Sequence, residues 1–189
     1  MKYFTYQLIA AANDWVEQTA QERHLAEKRI ETVVKKYQRE LESLKPRISL
    51  TAWNFFRHGR DEQGLHDARL LSLRIGDGLN YKPDGTSPFR LNRERTLAIV
   101  EFLNFEQNLH YVFDLRGPSF VGSDLLVDKE SAARSLGDLY IYELTAIDKK
   151  RLQLGFLFTT GSTLIIHFQR LVFRKRRIAR SYEIGEIFQ

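Results

Sequence analysis

His66 and Asp67 are adjacent in the chain. A carboxylate beside an imidazole can orient the ring and fix its proton, and an HD pair also serves metal phosphohydrolases, where both side chains ligate the ion. That second chemistry needs further ligands. His24, His58, His110 and His167 show neither i,i+4 pairing nor metal-ligand spacing, and the chain has no cysteine. The sequence therefore assigns no metal and no cofactor. Glu143 is the third candidate, a carboxylate inside the apolar run Leu139-Tyr140-Ile141-Tyr142-Glu143-Leu144. If it faces inward it needs a partner, because an unpaired buried carboxylate is costly. His66, His167 or an arginine would serve. Convergence of His66, Asp67 and Glu143 would make an acid–base pocket of the kind a small hydrolase uses. Without convergence, Asp67 accepts a backbone N–H at the start of a strand and Glu143 is a satisfied polar link. No G-x-S-x-G elbow and no G-x-x-x-x-G-K-[ST] loop occurs, and Gly76-Asp77-Gly78 lacks the third glycine of a dinucleotide site.

A different chemistry is suggested by Arg174, Lys175, Arg176, Arg177 and Arg180, five cations within seven residues that contain no acid. With Phe173 and Tyr182 nearby they could hold single-stranded nucleic acid. The chain has 29 Lys and Arg against 24 Asp and Glu, so removing these five leaves a body with no net charge. A nucleic-acid binder presents a broad basic face, and one short cluster also serves to guard a sheet edge against aggregation. The balance weighs against nucleic acid as the main partner.

Positioning these groups requires a frame, and the hydrophobic period changes near Gly59–Gly64. Before that connector apolar residues recur three and four apart; after it they recur two apart. Residues 3–12 read as a short helix or an anchoring segment. Asn13 and Asp14 offer a helix N-cap, and Glu17, three residues after Asp14, gives a capping-box-like arrangement. A long helix follows over about 14–44, with Ile30, Val33, Val34, Tyr37, Leu41 and Leu44 as its stripe and Pro46 as its stop. The stripe covers two heptads, too few for a coiled coil, so the helix is expected to dock on its own domain. A short aromatic helix lies over 48–57.

Strands are expected over 65–75, 96–105, 109–116, 139–147, 152–158 and 163–173. Asn104–Asn108 and Thr159-Thr160-Gly161-Ser162 supply turns. Residues 79–95 and 117–136 read as long loops, the second with a short helix near Asp128–Ser135. Short connections favour antiparallel pairing. The class is α+β: a helical region (1–60) packed on a mainly antiparallel sheet of about six strands (61–189), together one compact unit. With 43% hydrophobic residues the chain can bury a real core. No signal peptide and no run of about 20 apolar residues is evident, so a cytoplasmic protein without membrane contact is expected.

Three stretches carry a resemblance. Leu65-His66-Asp67-Ala68 resembles an HDS/HDA strand start, Leu139-Tyr140-Ile141-Tyr142-Glu143-Leu144 a LYDE element, and the run from Phe156 to Phe168 an LFSDGS-x-L-x-I-x-F hairpin. Together they are similar to a loose group of small bacterial proteins of unknown function, some of whose relatives resemble toxin-immunity proteins. The resemblance covers about residues 65–173. It implies the α+β fold and a bacterial cytosolic setting, and it supplies no activity. Where the group carries an aspartate before the glutamate, this chain has Tyr142. The expectation is thus an interaction module with a protein partner or a second copy of itself, contacted through the two long loops. A small hydrolase and a nucleic-acid binder are the alternatives.

Overall fold

The computed structural model describes residues 1–13, 16–17, 19–58, 64–79, 91–124 and 137–178. The proposed helix near Asp128–Ser135, together with Arg180 and Tyr182, lies outside them. The chain is α+β, with three α-helices and eight antiparallel strands among the described residues.

Residues 3–12 divide into an extended segment and helix α1 (Tyr6–Ala12), whose N-cap Thr5 accepts from the Leu8 N–H. Asn13 closes this helix at its C-terminus instead of opening the next one. Helix α2 (Ala20–Leu44) begins six residues later than the pattern suggested. Thr19 and Glu22 form a reciprocal capping box there and satisfy donors that helix geometry leaves unpaired. Pro46 sits in a single 3-10 turn (Lys45–Arg47), and helix α3 (Leu50–His58) follows. Trp53 is held at this corner between Lys45 Nζ, 4.4 Å from its ring, and the Arg57 guanidinium at 4.7 Å.

The strands are β1 (Arg69–Leu79), β2 (Leu91–Leu103), β3 (Leu109–Arg116), β4 (Phe120–Asp124), β5 (Leu139–Ala146), β6 (Leu152–Phe158), β7 (Thr163–Phe168) and β8 (Arg170–Arg177). They form two four-stranded sheets, ordered β1-β2-β3-β8 and β4-β7-β6-β5. The six expected strands are present, with two additions. The expected strand over 163–173 bends at Gln169 and passes from one sheet to the other as β7 and β8. Within the supposed loop 117–136, β4 continues β3 in the same manner after Gly117, whose φ is +61°. The two bent strands pair along their whole length, β3 with β8 and β4 with β7. Their corner is fixed by Gln169 N–H donating to Arg116 O and Ser119 N–H to His167 O. On the opposite side a single antiparallel bridge, Ala68–Leu139, joins the edge of β1 to β5. The result is a flattened barrel of six staves, two of them creased.

Alternation then fixes the interior. Phe102 and Phe113 of the first sheet meet Phe156 of the second, with ring centroids 4.9 and 5.7 Å apart. Helices α2 and α3 fill the gap where β5 and β8 diverge. Phe55 reaches Phe173 at 4.3 Å and Tyr142 at 5.3 Å, touching both sheets. Among the described residues no helix is long and apolar enough to cross a membrane.

Candidate functional site

Glu143 is completely buried, and its partners come from the start of the chain. The backbone N–H of Lys2 donates to Oε1, and those of Tyr3 and Phe4 donate to Oε2 at 3.0 and 3.2 Å. Neither His66, His167 nor an arginine fills that role. The local geometry explains the choice. Gly155 lies directly across the ladder from Glu143, and a Cβ there would stand 3.1 Å from the Met1 side chain. The small residue thus lets residues 1–4 lie against the outer face of the second sheet, where their N–H groups find a carboxylate. Phe4 is sealed beneath, with its ring 5.3 Å from that of Tyr37.

A second carboxylate extends the tie. Glu40 of α2 accepts from Lys2 Nζ, the Tyr3 hydroxyl and the Ala146 N–H. Burial works to raise the Glu40 pKa, but these three donors outweigh it and hold the carboxyl below its ordinary range. The same contact raises the Lys2 pKa. Tyr37 OH accepts the Leu144 N–H at 3.2 Å. The outward N–H groups of β5, an edge strand, are therefore capped by side chains of α2.

His66 and Asp67 are placed apart from Glu143's bonds. They stand in the turn just before β1, with His66 Nδ1 2.9 Å from Asp67 Oδ2 and both side chains about half exposed. Asp67 adopts φ 60°, a left-handed conformation that Asp tolerates. Its N–H donates to Leu139 O beside the bridge that closes the barrel. The pair thus comes together, while Glu143 is committed elsewhere. Among the described residues no three His, Asp or Glu side chains gather as a metal would need.

His66 nonetheless borders a cavity of about 600 Å³ between α2 and β5 that residue spacing gave no sign of. Ile30 and Val34 of α2 form one wall, Tyr140, Ile141 and Tyr142 of β5 the other, and Phe4, Tyr37 and Phe56 the floor. Glu27 and Glu31 stand on the rim. Burial pushes the Tyr140 hydroxyl pKa up; an Asn13 hydrogen bond opposes the shift and the nearby Asp67 carboxylate adds to it. The arrangement is apolar with two carboxylates at its lip, of which Glu27 is ion-paired with Arg23 at 3.2 Å. The α2 stripe at 30, 34 and 37 was legible as a buried face; its partial exposure in a groove was not.

The basic cluster falls on β8 and is split by strand alternation. Arg174 and Arg176 pair across the ladder with Val112 and His110, on the outer face of the first sheet. Lys175 and Arg177 pair with Tyr111 and Leu109 on the other side, where Lys175 Nζ lies 5.7 Å from the Tyr111 ring. Phe173 is buried in the core and offers no stacking surface.

No protein-family model matches the chain, and no curated protein and no solved structure gives a match.

Proposed function

We propose that the chain is a non-enzymatic protein-interaction module, immunity-like in kind, whose groove between α2 and β5 receives an extended segment of a partner protein. The favoured segment carries an apolar side chain next to Lys or Arg. The observation that carries this reading is the saturation of Glu143 by three backbone donors. The buried carboxylate that the sequence offered to an acid–base pocket with His66 and Asp67 ties residues 2–4 to β5 instead. What remains at the surface is a cavity that fits one or two side chains, with tyrosines on the wall and Glu27 and Glu31 at the lip. Charge complementarity with a basic residue gives such a site selectivity and orientation.

Selection of a displayed random-peptide library against the protein tests the reading. Enriched peptides should share an apolar anchor flanked by Lys or Arg. Reversing the exposed lip with Glu27→Lys and Glu31→Lys should weaken them about tenfold, roughly 1.4 kcal/mol. Absence of enrichment, or peptides that bind the reversed variant equally well, would sink the proposal.

A further inference from the structure

We infer that the outer face of the first sheet binds the sugar–phosphate backbone of nucleic acid without reading its sequence. This surface is separate from the groove. In an antiparallel ladder, residues paired across strands share a face. The register therefore places Arg74 of β1, Arg116 of β3, and Arg170, Arg174 and Arg176 of β8 on one side. The opposite side carries Leu73, Val100, Phe113 and Phe173 and is the core. Arg74 and Arg116 lie far from the basic cluster in sequence, so a short run of cations becomes a field of five arginines spread over three strands.

Two carboxylates lie among them, and both act as supports. Glu101 accepts from Ser72 Oγ at 2.5 Å and from Arg74 Nη2 at 2.9 Å. Asp114 is 6% exposed and sits 3.4 Å from Arg116 Nη2 and 4.0 Å from Arg174 Nη2. Its Oδ1 and the Arg116 Nε are both buried without a partner. Two guanidinium groups are thus drawn to one buried acid, which leaves a donor and an acceptor beneath them unfilled. A guard for a sheet edge needs one or two lysines on the edge strand. It does not need arginines on β1 and β3 held by carboxylates of the same face.

Several features favour a phosphodiester chain. Arg174 and Arg176 are about 6.6 Å apart along β8, and Arg170 lies about 5 Å across from Arg116. This is a row of planar donors suited to a linear, evenly charged polyanion, and guanidinium groups match phosphate oxygens in bidentate fashion. The uncharged residues between them include Leu97, Ile99, Val112 and Val172, all aliphatic, and His110 lies across from Arg176. Among the described side chains of this face the one ring is His110, three-quarters buried with its Nε2 3.8 Å from Glu101, so binding rests on phosphate contacts and falls with salt.

The test is fluorescence anisotropy of labelled mixed-sequence oligonucleotides, single-stranded and duplex, across a salt series. Contact with three or four phosphates gives a slope of about −3 to −4 in log Kobs against log salt on duplex. Arg170→Gln with Arg176→Gln removes two cations that make no described ion pair, and should flatten the slope by about two and weaken binding at least tenfold. Lys28→Gln with Lys36→Gln, exposed on α2, removes the same charge elsewhere and should change binding less than twofold. The inference fails if no oligonucleotide binds at low salt, or if the two double variants lose binding equally. It also fails if polyglutamate of matched charge binds as tightly as the oligonucleotide, which would make the face a dock for an acidic protein.

Discussion

Replacing Glu143 by Ala tests whether residues 1–4 are a structural tie. Hydrogen bonds to a charged acceptor contribute about 1.5–3 kcal/mol each, though three on one carboxylate do not add fully. Two outcomes are open to the variant. If the segment stays down, the buried Phe4 N–H loses its acceptor at a cost of about 1–3 kcal/mol, in addition to the volume vacated by the glutamate. If the segment lifts, Phe4 returns to water, at about 2–3 kcal/mol for a fully buried phenylalanine. The edge contact with Tyr37, about 0.5–1.5 kcal/mol, goes with it. Both routes give a loss of about 3–5 kcal/mol. Glu143→Gln keeps one acceptor oxygen, loses the charge and turns an NH₂ group toward donors, and should cost about 2 kcal/mol.

Urea denaturation reads the loss directly. With a slope of about 2 kcal/mol/M, the Ala variant should unfold about 1.5–2.5 M earlier. Amide exchange at Lys2, Tyr3 and Phe4 distinguishes the two routes. A double-mutant cycle with Phe4→Ala should show a coupling above about 1 kcal/mol, because both changes act on one segment. An unfolding free energy unchanged to within about 0.5 kcal/mol, with the three amides still protected, would refute the reasoning.

Tyr37→Phe leaves the Leu144 N–H without its acceptor, and should cost about 1–2 kcal/mol with faster exchange at that amide. Asp67→Gly should leave the melting temperature nearly unchanged, whereas Asp67→Val should cost about 1–2 kcal/mol, since φ 60° is forbidding for a β-branched residue. Burial pushes the Tyr111 hydroxyl up to about 12. Its contribution to stability is then complete below pH 10 and lost as pH rises towards 12, which phenolate absorbance and unfolding curves recorded together will follow. Glu40 has the opposite sign: its depressed pKa supplies stability above the ordinary glutamate range that disappears as pH falls through the folded value. Glu40→Gln should flatten that acid limb of the stability profile.

Period alone located the helical and strand regions, because burial of one face imposes spacing that survives in a single sequence. Leu152 to Phe158 and Thr163 to Phe168 alternate cleanly and form a hairpin around Gly161, which has φ +84°. The crease at Gln169 left only a slip of phase, from buried positions 164, 166 and 168 to 171 and 173, and long-range pairing with β3 shows that this slip is a change of sheet. β4 was hidden for a related reason: at five residues, with a glycine and half-exposed side chains, it carries no period. Asn13 is chemically fit for either end of a helix, and only the stronger box at Thr19 and Glu22 decides which it takes. His66 and Asp67 were legible as a pair because they are neighbours. The fate of Glu143 was not, since its partners are backbone groups some 140 residues away that any sequence would supply. Arg74 and Arg116 likewise enter the basic face through register, which one chain does not display.

The two sheets treat their outer faces in opposite ways, and this divides the molecule's binding capacity. Behind the second sheet, residues 1–4 lie over Glu143 and Gly155, while α2 caps the β5 edge through Tyr37 and Glu40. The α2 caps on Leu144 and Ala146 thus occupy the β5 edge beside the groove wall, which favours binding of a partner segment through side chains over addition of a strand. Outside the first sheet no described helix packs broadly; α3 reaches β8 from the core side through Phe55 and Phe173. That face is kept polar by arginines, three of which (Arg74, Arg116 and Arg174) are held by Glu101 and Asp114, and this charge resists edge pairing. On the two proposals, an apolar groove with carboxylates at its lip and an arginine-lined sheet would select ligands of opposite charge. Occupancy of one should therefore leave the other's affinity within about twofold, well short of the 1–3 kcal/mol typical of coupled sites. Titrating a selected basic peptide in the presence of saturating oligonucleotide measures this, and outright competition between them would show that the two surfaces are one.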